Sequence, residues 1–306
     1  MIIHFLGSDV FFLVFTRYID EIYLQSGDGS SKILTTINLP FRSAQNPLYR
    51  ITDFEPNAAH ALVNGKLHFF GGGNSKKIAR LEDCTLTELT VRLNKEREAG
   101  HAALSIENGK KALICFGYLK RKLKTCEIFD GSTTVSTFAS VWTRTLVWTH
   151  IDGGLGLYKN LPTSVGSIDA HQKAETLSAT GWTSLPDHPK RIWAHSLVAL
   201  ENQSLLLIGG FDWGNDGYLQ SGIWQLKDDN WNQIGELLQA DYYGSAIYIG
   251  RSIYYFGYLY GAIERLDFNE AEELQSVSKI GNYPGPHWTG NFYLPVLFQT
   301  VSNYCI

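Results

Sequence analysis

Residues 195–231 read HSLVALENQSLLLIGGFDWGNDGYLQSGIWQLKDDNW, and this stretch decides the fold class. A short apolar segment begins near His195, and a second, Leu206 to Ile208, ends in the doublet Gly209-Gly210. A polar loop, Phe211 to Ser221, then leads to a third apolar segment, Ile223 to Leu226, and to a fourth that carries Trp231. Apolar runs this short, rich in aliphatic residues and bounded by turn residues, suit strands and not helices. Four of them in succession, joined by short connections, make one antiparallel four-strand unit.

The same order recurs on both sides. Leu67 to Phe70 precedes Gly71-Gly72, Leu113 to Phe116 precedes Gly117, Pro162 to Val165 precedes Gly166, and Ile253 to Phe256 precedes Gly257. The glycines are spaced by roughly 43 to 49 residues, a period that marks a repeat architecture. Preceding strands start near His60, His101, His195 and Gly244, and two of them end in Asn64-Gly65 or Asn108-Gly109, which are strong hairpin signals. Third strands fall at Lys124 to Phe129, Lys173 to Leu177, Ile223 to Leu226 and Ala262 to Leu266, and Trp182 matches Trp231 on the fourth. A degenerate copy opens the chain, with His4-Phe5-Leu6, a turn at Gly7-Ser8-Asp9, the run Val10 to Phe15, then Ile22 to Leu24 and Ile33 to Thr36. The apolar tail Asn291 to Thr300 is free to pair with that first copy. The expectation is an all-β propeller in one domain, with approximate blades at 1–50, 51–95, 96–147, 148–190, 191–238 and 239–285, and 286–306 as the closing strand. Six blades are preferred, seven if the terminal segments build one of their own.

Glycine doublets followed by a strand and, about twenty residues on, a tryptophan resemble the kelch motif. Gly209-Gly210 with Trp224 and Trp231, and Gly166 with Glu175 and Trp182, carry the resemblance best; the copies at Gly117 and Gly257 keep one glycine. The resemblance implies that the repeat glycines Gly71, Gly72, Gly117, Gly166, Gly209, Gly210 and Gly257 allow close backbone approach near the axis. It implies that Trp182 and Trp231 fill the wedges between blades. It further implies a protein-interaction scaffold that binds its partner through loops on one rim. Relatives of the same superfamily include the galactose-oxidase catalytic domain, so a sugar-processing enzyme is the runner-up, followed by an extracellular carbohydrate-binding propeller. The tyrosines and histidines here do not match the oxidase's copper site residue by residue, and no HExxH, GxSxG, P-loop or usable GxGxxG signature is found. Gly153-Gly154-Leu155-Gly156 runs into a strand and turn, Leu157 to Asn160, and not into the helix a phosphate cradle needs. The chain therefore reads as a non-enzyme with no cofactor and no metal.

Composition narrows the partners. Hydrophobic residues make up 44% and charged residues 18% of the 306, enough for an extensive core. A net charge of −4 gives no general basic field for nucleic acid or membrane surfaces, so a monomer binding protein is expected. The candidate rim residues are Arg97, Tyr118, Lys120, Arg121, Lys122, Arg191, Asp212, Trp213, Asp216 and Tyr218. Phe211 to Ser221 mixes aromatic and acidic residues in the manner of interface hot spots, and Tyr118 to Lys124 is a basic cluster suited to an acidic partner. Tyr242-Tyr243 adds aromatics to the same rim. His60, His101 and His195 stand at equivalent strand starts, where a histidine either bonds a loop carbonyl or joins a metal set. Cys84, Cys115, Cys126 and Cys305 show no zinc spacing. Buried free thiols are one reading, and a Cys115–Cys126 bridge across a hairpin is the other. Asp9 interrupts the apolar start, and neither a basic lead nor a small-residue cleavage pattern flanks it, so no signal peptide or span is expected and the cytoplasm is set ahead of secretion. The one sequon, Asn202-Gln203-Ser204, fits secretion or an ordinary β-turn.

Overall fold

Asn64 and Gly65 have φ of 51° and 75°, the left-handed pair that a tight two-residue hairpin turn requires. They join Ala59–Val63 to Lys66–Phe70 in antiparallel register, with Val63 opposite Lys66. Ile78–Glu82 and Thr85–Glu88 follow in order, so this repeat is a meander of four neighbouring strands. The computed structural model describes residues 10–15, 22–30, 32–35, 37, 58–73, 75–97, 99–119, 121–122, 125–136, 150–169, 171–214, 217–282 and 295–306.

Among the described residues there is no helix, and six antiparallel sheets have four strands each. Besides the meander above, they comprise His101–Ile106, Lys111–Phe116, Cys126–Phe129 and Thr134–Ser136; Gly156–Tyr158, Leu161–Ser167, His171–Ser178 and Gly181–Leu185; Ser196–Ala199, Leu205–Ile208, Gly222–Lys227 and Asn230–Glu236; and Ser245–Ile249, Ser252–Phe256, Ala262–Phe268 and Leu274–Asn282. The sixth joins both ends of the chain: Val296–Thr300 pairs with Phe11–Phe15, followed by Ile22–Ser26 and Lys32–Leu34. The architecture is all-β and propeller-like in its repeating unit.

Burial explains the sequence pattern. Leu205–Ile208 and Ser252–Phe256 are buried along their whole length, because second strands are covered on both faces and so read as continuous apolar runs. Asn230–Glu236, a fourth strand, is exposed or half-buried throughout. The chain divides into two compact units, one of residues 1–36, 157–160 and 194–306, the other of 37–156 and 161–193. The first has clusters around Phe12, Tyr254 and Phe256 and around Leu206, Ile208 and Leu266; the second has clusters around Phe70, Ile114 and Phe129 and around Leu113, Cys115 and Phe116.

The repeat glycines sit where successive sheets approach. Gly209 has φ +65°, and a Cβ there would lie 2.8 Å from the carbonyl oxygen of Asp241, on the segment leading into the next sheet. At Gly166, with φ +62°, a Cβ would lie 1.9 Å from the carbonyl oxygen of Ile192. The neighbouring N–H groups use this proximity: Gly210 donates to the Asp241 carbonyl at 2.8 Å and Gly72 to the Arg97 carbonyl at 3.1 Å.

One sequence reading holds and two change. Val296–Thr300 pairs with Phe11–Phe15, so the apolar tail joins the first copy as expected; His4-Phe5-Leu6 lies outside the described residues. Cys115 faces Cys126 across two paired strands, 4.1 Å apart at Cα, and the two are bonded. That is the separation of a close antiparallel pair; none of the four cysteines is a free thiol, which overturns the free-thiol reading. Lastly, the tryptophans differ in what they pack on. Both are half-buried; Trp182 packs on the cluster of Leu113, Phe116 and Cys126, 5.9 Å from the Phe116 ring, and Trp231 stands opposite Leu226 on its own sheet.

Candidate recognition surface

Asp241 organises one end of the first unit. It is 2% exposed, and its carboxylate accepts the N–H of Tyr242 at 2.7 Å and that of Leu259 at 3.0 and 3.2 Å. Its main chain does as much: the carbonyl takes the Gly210 N–H, and its own N–H donates to the Gln220 carbonyl at 3.2 Å. One residue thus fastens the glycine doublet, the segment before Ser245–Ile249 and the loop after Phe256. A Cβ at Gly257 would stand 2.5 Å from Asp241 Oδ2, so the single glycine of this repeat makes room for the carboxylate. Burial pushes the Asp241 carboxyl above its usual range, while the surrounding backbone N–H groups act in the opposite sense.

Around this anchor stand the aromatics. The Phe211 ring meets Trp213 edge-on at 5.3 Å and Tyr242 at 6.2 Å. Tyr242 lies 4.9 Å from Tyr243 and 5.6 Å from Tyr258, and Tyr243 lies 6.2 Å from Tyr258. Edge and tilted contacts at these separations stabilise each ring beyond its area burial, so the set is a braced frame. Apolar area stays in water at Trp213, which is 44% exposed, and at two tyrosines on the adjoining segments, Tyr260 at 44% and Tyr218 at 63%. Phe211 to Ser221 is no open loop, because Phe211–Asp212 pairs with Tyr218–Leu219 as a small hairpin.

The sequence-predicted rim residues fare unequally. Trp213 and Tyr218 are exposed on the hairpin, and Arg191 is exposed in the second unit. Asp212 is buried and accepts the Gly214 N–H at 2.8 Å, a turn-forming role. Arg97 is a correction. It is 0% exposed, its Nε and Nη2 bond Glu127 Oε1 at 3.1 and 2.9 Å, and Nη1 bonds the carbonyls of Phe116 and Thr125 at 2.6 and 3.1 Å. Its donors are engaged inside the protein, so it presents no charge to a partner. Tyr118–Leu119 and Arg121–Lys122 form a two-strand hairpin in backbone; Lys120 and Asp216 lie outside the described residues. His101 Nε2 is 3.1 Å from the Ala59 nitrogen and 2.8 Å from the Phe70 carbonyl, the bland role of a strand-start histidine. Among the described residues no group of three or more His, Cys, Asp or Glu is placed to hold a metal ion.

Sequence reasoning missed the recurrent buried glutamate of the third strands. Glu127 accepts the Asn94 N–H at 2.6 Å, Glu264 the Leu238 N–H at 2.9 Å, and Glu175 lies 3.0 Å from His150 Nε2. Each ties its sheet to the segment that leads into it or into the sheet itself. The available signal was the recurrence of a Glu within the third strand, at Glu127, Glu175 and Glu264.

No protein-family model matches the sequence, and no curated protein matches it either. Among solved structures the fold is similar to one named Structure of YjhT, at 15% identity and a TM-score of 0.62, over 84% of this chain and 91% of that one. The likeness is one of fold, an all-β arrangement of repeated four-strand sheets.

Proposed function

We infer that the chain is a recognition module of kelch type, its sheets the six blades of a ring closed by Val296–Thr300, and that it binds a protein segment through the aromatic frame of Phe211, Trp213, Tyr242 and Tyr258 with the adjoining Tyr218 and Tyr260. The observation that carries this reading is the combination of exposed large aromatics with a buried anchor, Asp241, that fixes the segments bearing them. Rigid aromatic area lost from water contributes binding energy at little entropic cost, and such residues dominate interface hot spots. The tyrosine hydroxyls add directional contacts at the rim of the patch. Replacing Trp213, Tyr218 and Tyr260 together by alanine leaves the core untouched. It should abolish capture of partners from extract while the melting temperature stays within a degree or two of the parent. Capture that survives the triple change removes the frame as the site. Charge reversal at Lys120, Arg121 and Lys122 tests the basic hairpin separately.

A second reading rests on the cysteines. With Cys115 bonded to Cys126 and no free thiol in the chain, the protein suits an oxidising compartment, where the same aromatic faces would stack on sugar rings. Titration against an immobilised glycan panel separates the two: saturable glycan binding lost in the triple variant favours the carbohydrate ligand.

A further inference from the structure

We propose that Asn202 is an N-glycosylation site, an assignment that goes beyond the binding reading and does not depend on it. The triplet Asn202-Gln203-Ser204 forms the turn between Ser196–Ala199 and Leu205–Ile208. Gln203 has φ +67° there, its N–H donates to the Leu200 carbonyl at 3.1 Å, and the Leu200 N–H donates to the Ser204 carbonyl at 3.0 Å. Asn202 is exposed. Its Oδ1 accepts both the Ser204 N–H at 3.0 Å and the Ser204 hydroxyl at 2.6 Å. A backbone N–H only donates, so the oxygen of the amide is identified by that contact, and Nδ2 is the edge turned away from the turn. Gln225 Nε2 donates to Ser204 Oγ at 2.9 Å, which leaves the hydroxyl proton directed at Asn202. In the folded turn the hydroxyl thus lies against the amide oxygen and the nitrogen is turned away, so a glycan attached before folding is accommodated without displacing the turn.

Two further features fit this modification. The disulfide between Cys115 and Cys126 and the absence of free thiols suit maturation in an oxidising lumen, where this transfer takes place. The turn also has its own fastening, since the Glu272 carboxylate accepts the N–H groups of Glu201, at 2.8 Å, and of Asn202. The turn's backbone therefore has support that does not require the Asn202 side chain, and a glycan there projects into solvent. In the reaction the donor is a lipid pyrophosphate-linked oligosaccharide. A bond forms between Asn202 Nδ2 and the anomeric carbon, the anomeric carbon–phosphate oxygen bond breaks, the lipid pyrophosphate departs with the electron pair, and the amide proton goes to base. Ser204 is 1% exposed once the hairpin is formed, so transfer precedes folding of this sheet.

The test is intact mass and peptide mapping of the full chain recovered from the secretory lumen of a glycosylating cell. The parent should carry one glycan, removable by a glycan-releasing amidase, on the peptide containing Asn202. Asn202→Gln and Ser204→Ala should both lose it, and Ser204→Thr should keep it. Purified oligosaccharyltransferase with its lipid-linked donor should modify the reduced, unfolded chain and leave the folded, unglycosylated chain unchanged. Parent protein recovered with its disulfides formed and Asn202 bare overturns the assignment, as does a glycan that persists in Asn202→Gln. Should Ser204→Ala fail to fold, Asn202→Gln and Ser204→Thr still decide the question.

Discussion

Asp152 is a carboxylate in an environment that disfavours its charge. Its Oδ1 is buried and has no hydrogen-bond partner among the described residues, and burial alone pushes the carboxyl up to about 6. In the unfolded chain the same group titrates near its ordinary value of 3.8. Between those values the folded state holds a proton that the unfolded state has released, so stability falls as pH rises through the window and the loss is complete above about 6. Two pH units correspond to about 3 kcal/mol as an upper bound. Asp152→Asn should flatten this slope, and urea midpoints of parent and variant should diverge between pH 4 and pH 6 with the variant higher at pH 7; parallel curves would refute the assignment. Arg97 presents the opposite case, a buried charge fully compensated by Glu127 and two carbonyls. Arg97→Ala leaves the glutamate uncompensated and should cost about 3–5 kcal/mol in chemical denaturation, a loss that a solvent-facing rim arginine would not produce.

Two glycines separate turn conformation from close approach. Both have left-handed φ, but a Cβ at Gly65 meets nothing within 4 Å while one at Gly209 meets the Asp241 carbonyl oxygen at 2.8 Å. Gly65→Ala should therefore cost only the left-handed penalty, about 1–2 kcal/mol. Gly209→Ala should cost more, because the contact between consecutive sheets must also open, and differential scanning calorimetry of the pair measures the excess. What was legible in the sequence follows the same division. Hairpin turns, glycine ends and doubly covered second strands leave local marks, since a turn type or a continuous apolar run is written in adjacent residues. Arg97 left none: in Asn94-Lys95-Glu96-Arg97 it reads as one more solvated charge, and its partner is thirty positions away on another strand. Asp241 was missed for a similar reason, its acceptors being satisfied by the backbone N–H groups of a loop some eighteen residues further on. The exposure of Trp213 and Tyr218 was legible because both lie in a connection rich in Gly, Asp and Asn, a composition written in adjacent residues. The bond between Cys115 and Cys126 depended on register, which a connection that itself holds the paired strands Tyr118–Leu119 and Arg121–Lys122 does not declare.

At the scale of the whole molecule, one sheet depends on residues almost three hundred positions apart. Phe11–Phe15 pairs along its length with Val296–Thr300, with Leu13 opposite Phe298, and Leu297 belongs to the same buried cluster as Phe12, Tyr254 and Phe256. Phe12, Leu13 and Val14 are 0% exposed, so removing the last strand opens a hydrophobic edge with unpaired backbone, the arrangement most prone to intermolecular pairing. A chain ending at Pro295 should lose cooperativity in thermal unfolding and associate at micromolar concentration. Because the truncation also removes Cys305 and leaves Cys84 without a disulfide partner, a full-length Leu297→Asp variant is the companion that isolates loss of the strand's packing, and it should show the same change in unfolding. Limited proteolysis then ought to cut within residues 1–36 and 245–282 before it touches the segment held by Cys115 and Cys126. Since the missing element is a strand whose affinity resides in main-chain hydrogen bonds and alternate side-chain pockets, a synthetic peptide of residues 295–306 should restore the melting transition in a dose-dependent way. The same peptide with Leu297→Asp, which carries a charge into the cluster of Phe12 and Phe256, should not. Rescue by both peptides, or an unaltered melting curve after truncation, would show that this sheet does not rely on the far end of the chain.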